Sequence, residues 1–216
     1  MKIKFLGHAS FLITSRQGTR IITDPYKAGS YGGGIGYSEI GEAADLVTVS
    51  HEHDDHNDTA AVEGKPVIVR GAVAKSIKDV GVKGFDVHHD KTQGRERGRN
   101  TVFLLEVDGM RVLHLGDLGH ELDDKQVKAI GPVDVVMVPV GGFFTVDAKE
   151  ASQVVGLLRP SIVIPMHYKT GKCGFPIAGV DDFLAMAQNV RTVGSSEVEI
   201  SGLPTSPTVF LLDSAR

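Results

Sequence analysis

The feature that most constrains this chain is an unbroken run of histidine and carboxylate side chains, His-Glu-His-Asp-Asp-His, directly after an apolar segment. The apolar segment, Leu46 to Ser50, predicts a buried strand, so the polar run begins where that strand ends. On an extended backbone, His51 and His53 project to the same side. If the chain then turns into a helix, Asp55 and His56 come round towards a neighbouring point. The segment therefore predicts a loop that can bind two metal ions.

The residue types in this run indicate which metals fit. Imidazole and carboxylate groups suit zinc, and also manganese or iron, and the absence of thiolates argues against a closed structural zinc site. Cys173 is the only cysteine in the chain, which excludes an intrachain disulfide. The alternative interpretation is a solvated acidic loop with incidental histidines. We favour the metal site because this many ligand types within one short run form a specific pattern.

Charge and hydropathy narrow the class of protein. Hydrophobic residues make up 41% and charged residues 23% of the chain, which is typical of a soluble globular protein. The formal net charge of -4 gives no general attraction to nucleic acid. The first residues alternate apolar and polar side chains and include Lys2 and Lys4, unlike a signal peptide or a membrane span. We therefore predict a cytoplasmic protein without nucleic-acid or integral membrane partners, and leave open a homo-oligomer.

Apolar periodicity predicts one α/β domain over residues 1–216, in which short strands open the chain and later apolar runs alternate with helical stretches. The predicted strands are Ile3 to Phe5, Ser10 to Thr14 and Thr19 to Thr23. Four later strands are predicted to be buried, and these are Leu46 to Ser50, Pro66 to Val69, Val133 to Pro139 and Ile162 to Pro165. The predicted helices are Asp123 to Ile130, Asp147 to Leu158 and Asp181 to Gln188. Asn100 to Leu115 predicts a hairpin around Asp108-Gly109, and no repeat or linker marks a domain boundary.

The polar run resembles the signature of the metallo-β-lactamase superfamily, His-x-His-x-Asp-His, which is matched here by His51, His53, Asp55 and His56. The resemblance extends over nearly the whole chain, because the later ligands of that family are matched in order by His89, Asp117 and His167. It implies an α/β fold of the metallo-β-lactamase type, an αββα four-layer sandwich.

By that resemblance the chain binds two divalent metal ions, with zinc as the first candidate and manganese or iron as alternatives. One ion takes His51, His53 and His89, the other takes Asp55, His56 and His167, and Asp117 bridges them. Two such ions lower the pKa of a bridging water from about 15.7 in bulk towards ~7, so hydroxide can attack a carbonyl or phosphorus centre. The predicted function is a dinuclear hydrolase acting on ester bonds, with Asp55, Asp117 and His120 as catalytic candidates.

The chain has more histidines than the predicted ligands use. His88 adjoins His89 in a predicted strand, so alternation points only one of them at the metals, and we choose His89. His114 lies in the middle of a predicted strand and is assigned no role. His120 follows the predicted bridge closely, and His8 lies in a Gly-His-Ala-Ser start. Each of these two is predicted to support the ligands or donate a proton, with a structural hydrogen bond as the alternative.

Two other features are predicted to support the site. Asp24 accepts a hydrogen bond from a ligand imidazole and fixes its tautomer, unless it only starts a turn before Pro25. The glycine-rich segment from Gly29 to Gly36 is predicted to form a flap over the metals or a phosphate nest. The nest is the weaker interpretation, because the segment lacks the Lys-Ser/Thr ending of a P-loop.

An arginine cluster follows the predicted ligand His89 directly. Arg95, Arg97 and Arg99 are predicted to bind a phosphate or carboxylate of the substrate, since guanidinium groups bind such oxyanions in a bidentate manner. In an extended segment the three side chains share one side, whereas in a glycine-flanked loop only one or two reach the site. We expect Arg95 or Arg97 to matter most. The alternative is a solvated charged surface.

The segments Gly7-His8-Ala9-Ser10 and Thr23-Asp24-Pro25 resemble the branch of the superfamily that contains ascorbate-6-phosphate lactonase and N-acylphosphatidylethanolamine phospholipase D. Asp117 stands where thiol-bearing antibiotic-hydrolysing members have cysteine, which argues against a true β-lactamase. The resemblance implies a small anionic ester as substrate, either a phosphosugar lactone or a phosphodiester. The alternative function is a non-catalytic regulatory protein that binds a metal or ligand on the same fold.

Overall fold

The first of two large β-sheets begins with the N-terminal strands, whose side chains alternate between its faces. In the computed structural model, which describes all 216 residues, Phe11 and Ile13 belong to the main core and Leu12 belongs to a separate cluster, as a period of two requires. The spatial order of this sheet is β15 (Glu197–Glu199), β1 (Lys2–Gly7), β2 (Ser10–Thr14), β3 (Arg20–Thr23), β5 (Leu46–Val49) and β7 (Val67–Arg70).

The second sheet combines antiparallel and parallel strands. Its spatial order is β14 (Val190–Thr192), β16 (Thr208–Leu211), β13 (Ile162–Met166), β12 (Val135–Pro139), β11 (Met110–His114), β10 (Arg99–Val107), β9 (Val80–His88) and β8 (Ala74–Ile77). Strands β8 to β11 form antiparallel pairs, while β11, β12, β13 and β16 are parallel. The short strands β4 (Glu42–Ala43) and β6 (Val62–Glu63) pair separately.

The helices are short, and two of the four begin at polar caps. They are α1 (Ser30–Gly33), α2 (Asp124–Ile130), α3 (Ala148–Leu158) and α4 (Asp181–Met186), with a 3₁₀ turn at Thr59–Ala61. Capping boxes start α2 at Asp123 and α3 at Asp147, which satisfies backbone N–H groups that a helix leaves without partners. No helix combines the length and apolar character needed to span a bilayer.

The layers form the αββα sandwich that the family resemblance implies. On one side, α3 contacts both β12 and α4 and buries Ala151, Val154 and Leu158. On the other side, the first sheet is covered mainly by the long connection after β3, which places Tyr26 and Ile40 in the second hydrophobic cluster. The outer layer on this side is therefore a loop with very short helical segments.

Two local expectations are not met. No helix follows His53, since residues 51–56 form bends and turns and only the 3₁₀ turn at Thr59–Ala61 comes after them. The strand predicted at Pro66 to Val69 exists as β7, but it is not fully buried, since Val67 is 44% and Ile68 is 39% exposed. Strand β7 lies at the edge of its sheet and pairs only with β5, which leaves these side chains open to solvent.

The fold brings the carboxyl ends of six strands to one edge of the sandwich. In the first sheet β1, β3 and β5 run in the same direction, because β2 is antiparallel to its two neighbours and β3 is parallel to β5. In the second sheet β9 and β11 share a direction because β10 is antiparallel to both, and β13 shares it because β11, β12 and β13 are parallel. The polar segments that the sequence analysis selects follow these six strands.

Candidate metal centre

Asp24, which directly follows β3, holds the loop that follows β5. Its Oδ1 accepts the Ser50 backbone N–H at 2.8 Å, and its Oδ2 accepts the Ser50 hydroxyl at 2.5 Å. The same Oδ2 lies 2.9 Å from His56 Nδ1, so a proton on Nδ1 leaves Nε2 free to face the centre. Asp24 is fully buried and has a φ of 40°, a backbone conformation that residues other than glycine rarely adopt. The carboxylate thus binds both ends of the loop.

A first group of donors consists only of imidazoles. His51, His53 and His89 offer ring nitrogens that all lie within 4.8 Å of one another, and His51 Nε2 is 2.9 Å from His53 Nδ1. His89 enters the group from the end of β9, whereas the neighbouring ring of His88 packs against His120 at 5.5 Å. Of the two adjacent histidines, the structure brings His89 into the cluster.

A second group contains a carboxylate. Asp55, His56 and His167 offer donors within 4.8 Å of one another, and His8 belongs to the same group. His8 Nε2 lies 3.0 Å from Asp55 Oδ2, and the His8 carbonyl accepts the His167 backbone N–H at 2.8 Å. His8 is therefore in direct contact with predicted ligands on two other loops.

Asp117 lies between the two groups. Its Oδ2 is 3.2 Å from Nε2 of His56 and of His89, 3.4 Å from His167 Nε2 and 3.8 Å from His51 Nε2. This arrangement is the one expected of a carboxylate that serves both groups.

The backbone before Asp117 approaches its neighbours closely. Gly116 has a φ of 52°, and a Cβ at this position would lie 2.5 Å from Asn100 Oδ1. Asn100 holds this turn, because its side-chain amide donates to the Leu115 carbonyl at 2.9 Å and its Oδ1 accepts the Asp117 N–H at 3.2 Å. Glycine is therefore required at position 116 for the carboxylate to reach the centre.

The electrostatics of the cluster suit a cation. Burial lowers the pKa of both His51 and His167 to about 3, which keeps these rings neutral with a lone pair available. Burial alone would raise the pKa of Asp117, but His167 and His56 hold it well below its usual range. His56 Nε2 and Asp117 Oδ1 are buried without a hydrogen-bond partner. A divalent ion would satisfy both the lone pairs of the neutral His51 and His167 rings and the charge of the buried carboxylates.

A cavity of about 410 Å³ opens onto this cluster. Its walls are His53, Asp55, His89, Asp117 and His167 on the polar side and Tyr31, Arg97, Phe144 and Phe175 around them. The Tyr31 hydroxyl donates to Asp55 Oδ1 at 3.2 Å, so the glycine-rich segment does reach the predicted ligands. The three aromatic residues were not singled out by the sequence analysis, since they come from loops that are distant in the chain. The only local signal was the position of Tyr31 within the glycine-rich segment.

The arginine cluster divides in the structure. Arg97 lines the cavity, whereas Arg95 and Arg99 do not and are exposed. The reason is the buried carboxylate of Asp90, which accepts backbone N–H groups of Thr92, Gly94, Glu96 and Arg97 at 2.7 to 3.0 Å. The segment therefore curls around Asp90 instead of extending, and its arginines point in different directions.

The remaining candidates lie outside the cavity. His120 donates from Nδ1 to the Glu121 carbonyl at 2.7 Å and accepts the His88 N–H at Nε2 at 3.2 Å. Both ring nitrogens are thus occupied by backbone groups, which argues against the predicted proton-donor role of His120. His114 is buried, and its Nε2 donates to the Ala9 carbonyl at 2.8 Å, a structural hydrogen bond between the two sheets.

Comparisons with known proteins agree with this geometry. A family model described as a β-lactamase superfamily domain matches residues 2–167. A UPF0173 metal-dependent hydrolase from Carboxydothermus hydrogenoformans is 34% identical over 207 residues, covering 84% of this chain and 88% of that protein. The chain belongs to the UPF0173 family of the metallo-β-lactamase superfamily. A UPF0173 metal-dependent hydrolase from Thermococcus onnurineus is 32% identical over 195 residues, covering 79% and 85% of the two chains.

A solved relative supports the fold assignment of this UPF0173 protein. The crystal structure of a proposed Zn-dependent hydrolase of the same superfamily from Thermotoga maritima superposes with a TM-score of 0.82 at 35% identity. The match covers 99% of this chain and 98% of that chain. The fold is therefore the metallo-β-lactamase fold, and the protein is a metal-dependent hydrolase of that superfamily.

Proposed function

We propose that this protein is a dinuclear hydrolase that cleaves small anionic esters. The observation that carries the proposal is the position of Asp117, whose Oδ2 lies 3.2 to 3.8 Å from histidines of two separate donor groups. In the proposed centre His51, His53 and His89 hold one ion, Asp55, His56 and His167 hold the other, and Asp117 bridges them. Zinc is the first candidate because imidazole and carboxylate ligands suit it, with manganese and iron as alternatives.

Two divalent ions supply Lewis acidity and lower the pKa of water, so that water can add to an ester and release an acid and an alcohol. The residues of the chain prepare the centre for this reaction. Asp24 fixes the orientation of His56 through its 2.9 Å contact with Nδ1, and Tyr31 and His8 contact the two oxygens of Asp55. These contacts restrict how the predicted ligand side chains can move.

The position of Arg97 favours an anionic substrate, because Arg97 is the one lysine or arginine among the residues that line the cavity. The two specific versions of the proposal are a phosphosugar lactone and a phosphodiester, as the resemblance to the lactonase and phospholipase D branch implies. The proposed location of the reaction is the cytoplasm. The proposed substrate is a small molecule rather than a nucleic acid.

The test combines metal analysis with activity. Protein purified without chelator should contain about two transition-metal ions per chain and hydrolyse members of a panel of lactones and phosphodiesters. Chelation should abolish turnover, and added zinc, manganese or iron should restore it. A folded protein that never exceeds one ion under excess metal contradicts the dinuclear centre. A protein that holds two ions but hydrolyses nothing in a broad ester panel supports the alternative of a non-catalytic binding protein.

A further inference from the structure

A row of aromatic rings borders the cavity beside the predicted metal ligands. The Tyr31 and Phe175 ring centroids are 5.4 Å apart, and those of Phe175 and Phe144 are 5.6 Å apart, both pairs in edge-to-face contact. All three residues line the cavity, and Tyr31 is 54% exposed. Because the rings are in mutual contact, they form one continuous apolar surface rather than three separate side chains.

Arg97 stands at the end of this row. Its guanidinium carbon lies 5.6 Å from the centroid of the Phe144 ring, and its backbone is held by the buried carboxylate of Asp90. The guanidinium makes no hydrogen bond within the protein, and its one acidic neighbour, Glu96, is 3.9 Å away. The planar donors of Arg97 are therefore available to an oxyanion at a position defined by the ring beneath them.

We propose that the substrate carries an aromatic group, which lies along this row, and a second anionic group, which binds Arg97. The row offers little hydrogen bonding to a sugar, since the Tyr31 hydroxyl is its only polar group and already donates to Asp55. An aryl lactone or an aryl phosphoester with an additional carboxylate or phosphate fits both features. This inference places an aromatic group where the phosphosugar lactone has its sugar. It names the substrate class of the proposed function and rests on that function for the reaction, but its binding test requires no turnover.

The test uses three ligands that differ by one group each and that water does not cleave: methylphosphonate, phenylphosphonate and 4-carboxyphenylphosphonate. Calorimetry on the zinc-loaded protein measures each dissociation constant. Phenylphosphonate should bind roughly 5 to 10-fold more tightly than methylphosphonate because of the aromatic contacts. The added carboxylate should improve binding by roughly another 10-fold through its charge-assisted hydrogen bonds to Arg97.

Variants assign each gain to its side chain. Phe175→Leu should remove most of the affinity gained from the phenyl group and keep the affinity gained from the carboxylate. Arg97→Met should remove the affinity gained from the carboxylate and keep that gained from the phenyl group. The controls are Phe143→Leu, in the loop that carries Phe144, and Arg95→Met, in the loop that carries Arg97, and neither of these side chains lines the cavity. Both controls should retain both gains. If Phe175→Leu lowers the melting temperature strongly, Phe144→Leu replaces it.

The outcomes separate this inference from the proposed function. If both gains appear in the wild type and vanish in the matching variants, the inference holds even when no ester is hydrolysed, and only the proposed function fails. If phenylphosphonate binds no better than methylphosphonate, or if Arg97→Met keeps the carboxylate gain, the inference is overturned. Either of these two results leaves the proposed function intact when metal-dependent ester hydrolysis is observed.

Discussion

A single carboxylate can hold a whole loop of predicted metal ligands in place, and Asp24 holds the loop after β5 in this way. It accepts hydrogen bonds from the Ser50 backbone and hydroxyl, and it contacts His56 Nδ1 at 2.9 Å. The sequence alone also permits Asp24 to be an ordinary turn residue before Pro25. The structure favours the supporting role, because a buried carboxylate needs these three partners to offset its desolvation.

Replacement of Asp24 by Asn should weaken metal affinity by roughly 10 to 100-fold, the usual cost of losing the group behind a ligand. An amide offers one acceptor where the carboxylate offers two, so either His56 or Ser50 loses its bond. Competition with a fluorescent chelator measures the affinity. Asp86→Asn is the control, since Asp86 is exposed on β9, and it should bind metal like the wild type. Unchanged affinity in Asp24→Asn returns Asp24 to the turn-forming interpretation.

Replacement of Asp117 by Ala should be the most damaging single change among the predicted ligands. The carboxylate stands between the two donor groups, so its loss removes one ligand from each ion and leaves their mutual repulsion less compensated. We expect at most one ion per chain and a loss of roughly 1,000-fold in kcat/KM, measured by elemental analysis and steady-state kinetics. Full metal content with full activity in Asp117→Ala rules out the proposed bridge.

Among the elements, the loop after β9 shows how one side chain organises a segment that has no regular structure. The Asp90 carboxylate accepts four backbone N–H groups and the Thr92 hydroxyl, and these bonds hold the pKa of Asp90 below its usual range although burial opposes this. Because the folded pKa lies below the ordinary value near 3.9, the stabilisation is complete above about pH 4 and is lost as the pH falls towards the folded pKa.

Asp90→Asn should open this loop at neutral pH. The amide nitrogen of Asn faces N–H donors in place of an acceptor, which costs about 1 to 3 kcal/mol. The protection factors of the amides of residues 91–98, taken relative to the intrinsic exchange rate at the same pH, should fall accordingly, and the wild-type loop should lose the same protection only in acid. Thr92→Val is the matched partial control, because it removes the hydroxyl bond and keeps the backbone bonds. Equal exchange in Asp90→Asn and wild type contradicts this account.

The strands, helices and loops also differ in how well the sequence predicts them. The hairpin around Asp108-Gly109, the capped helix α3 and the early strands follow from local patterns, and each is present. The helix considered after His53 is absent, and the loop is held instead by its bonds to Asp24. The row of Tyr31, Phe144 and Phe175 could not be predicted, since loops distant in sequence meet only in the folded chain.

At the scale of the whole molecule, both sheets contribute to the centre, so the proposed metals connect them. Chelation should therefore lower the melting temperature. Ligand at 100 times its dissociation constant contributes about 2.7 kcal/mol, and a chain of this length shifts by roughly 2 to 4 °C per kcal/mol, which gives about 5 to 10 °C. Differential scanning calorimetry with and without chelator measures the shift, and added zinc should reverse it. An unchanged melting temperature contradicts a metal centre that connects the sheets.

The convergence of six strand ends also has a kinetic consequence. His51 and His53 emerge early in synthesis, but His167 follows β13, so the second donor group is complete only after the central strands of the second sheet have paired. Because loop closure between such distant parts of a chain costs entropy, we expect the donor groups to assemble after the folding transition state. Interactions that form after the transition state change the rate of unfolding and leave the rate of folding almost unaffected. Bound metal should therefore prolong the lifetime of the native state without helping the chain to reach it.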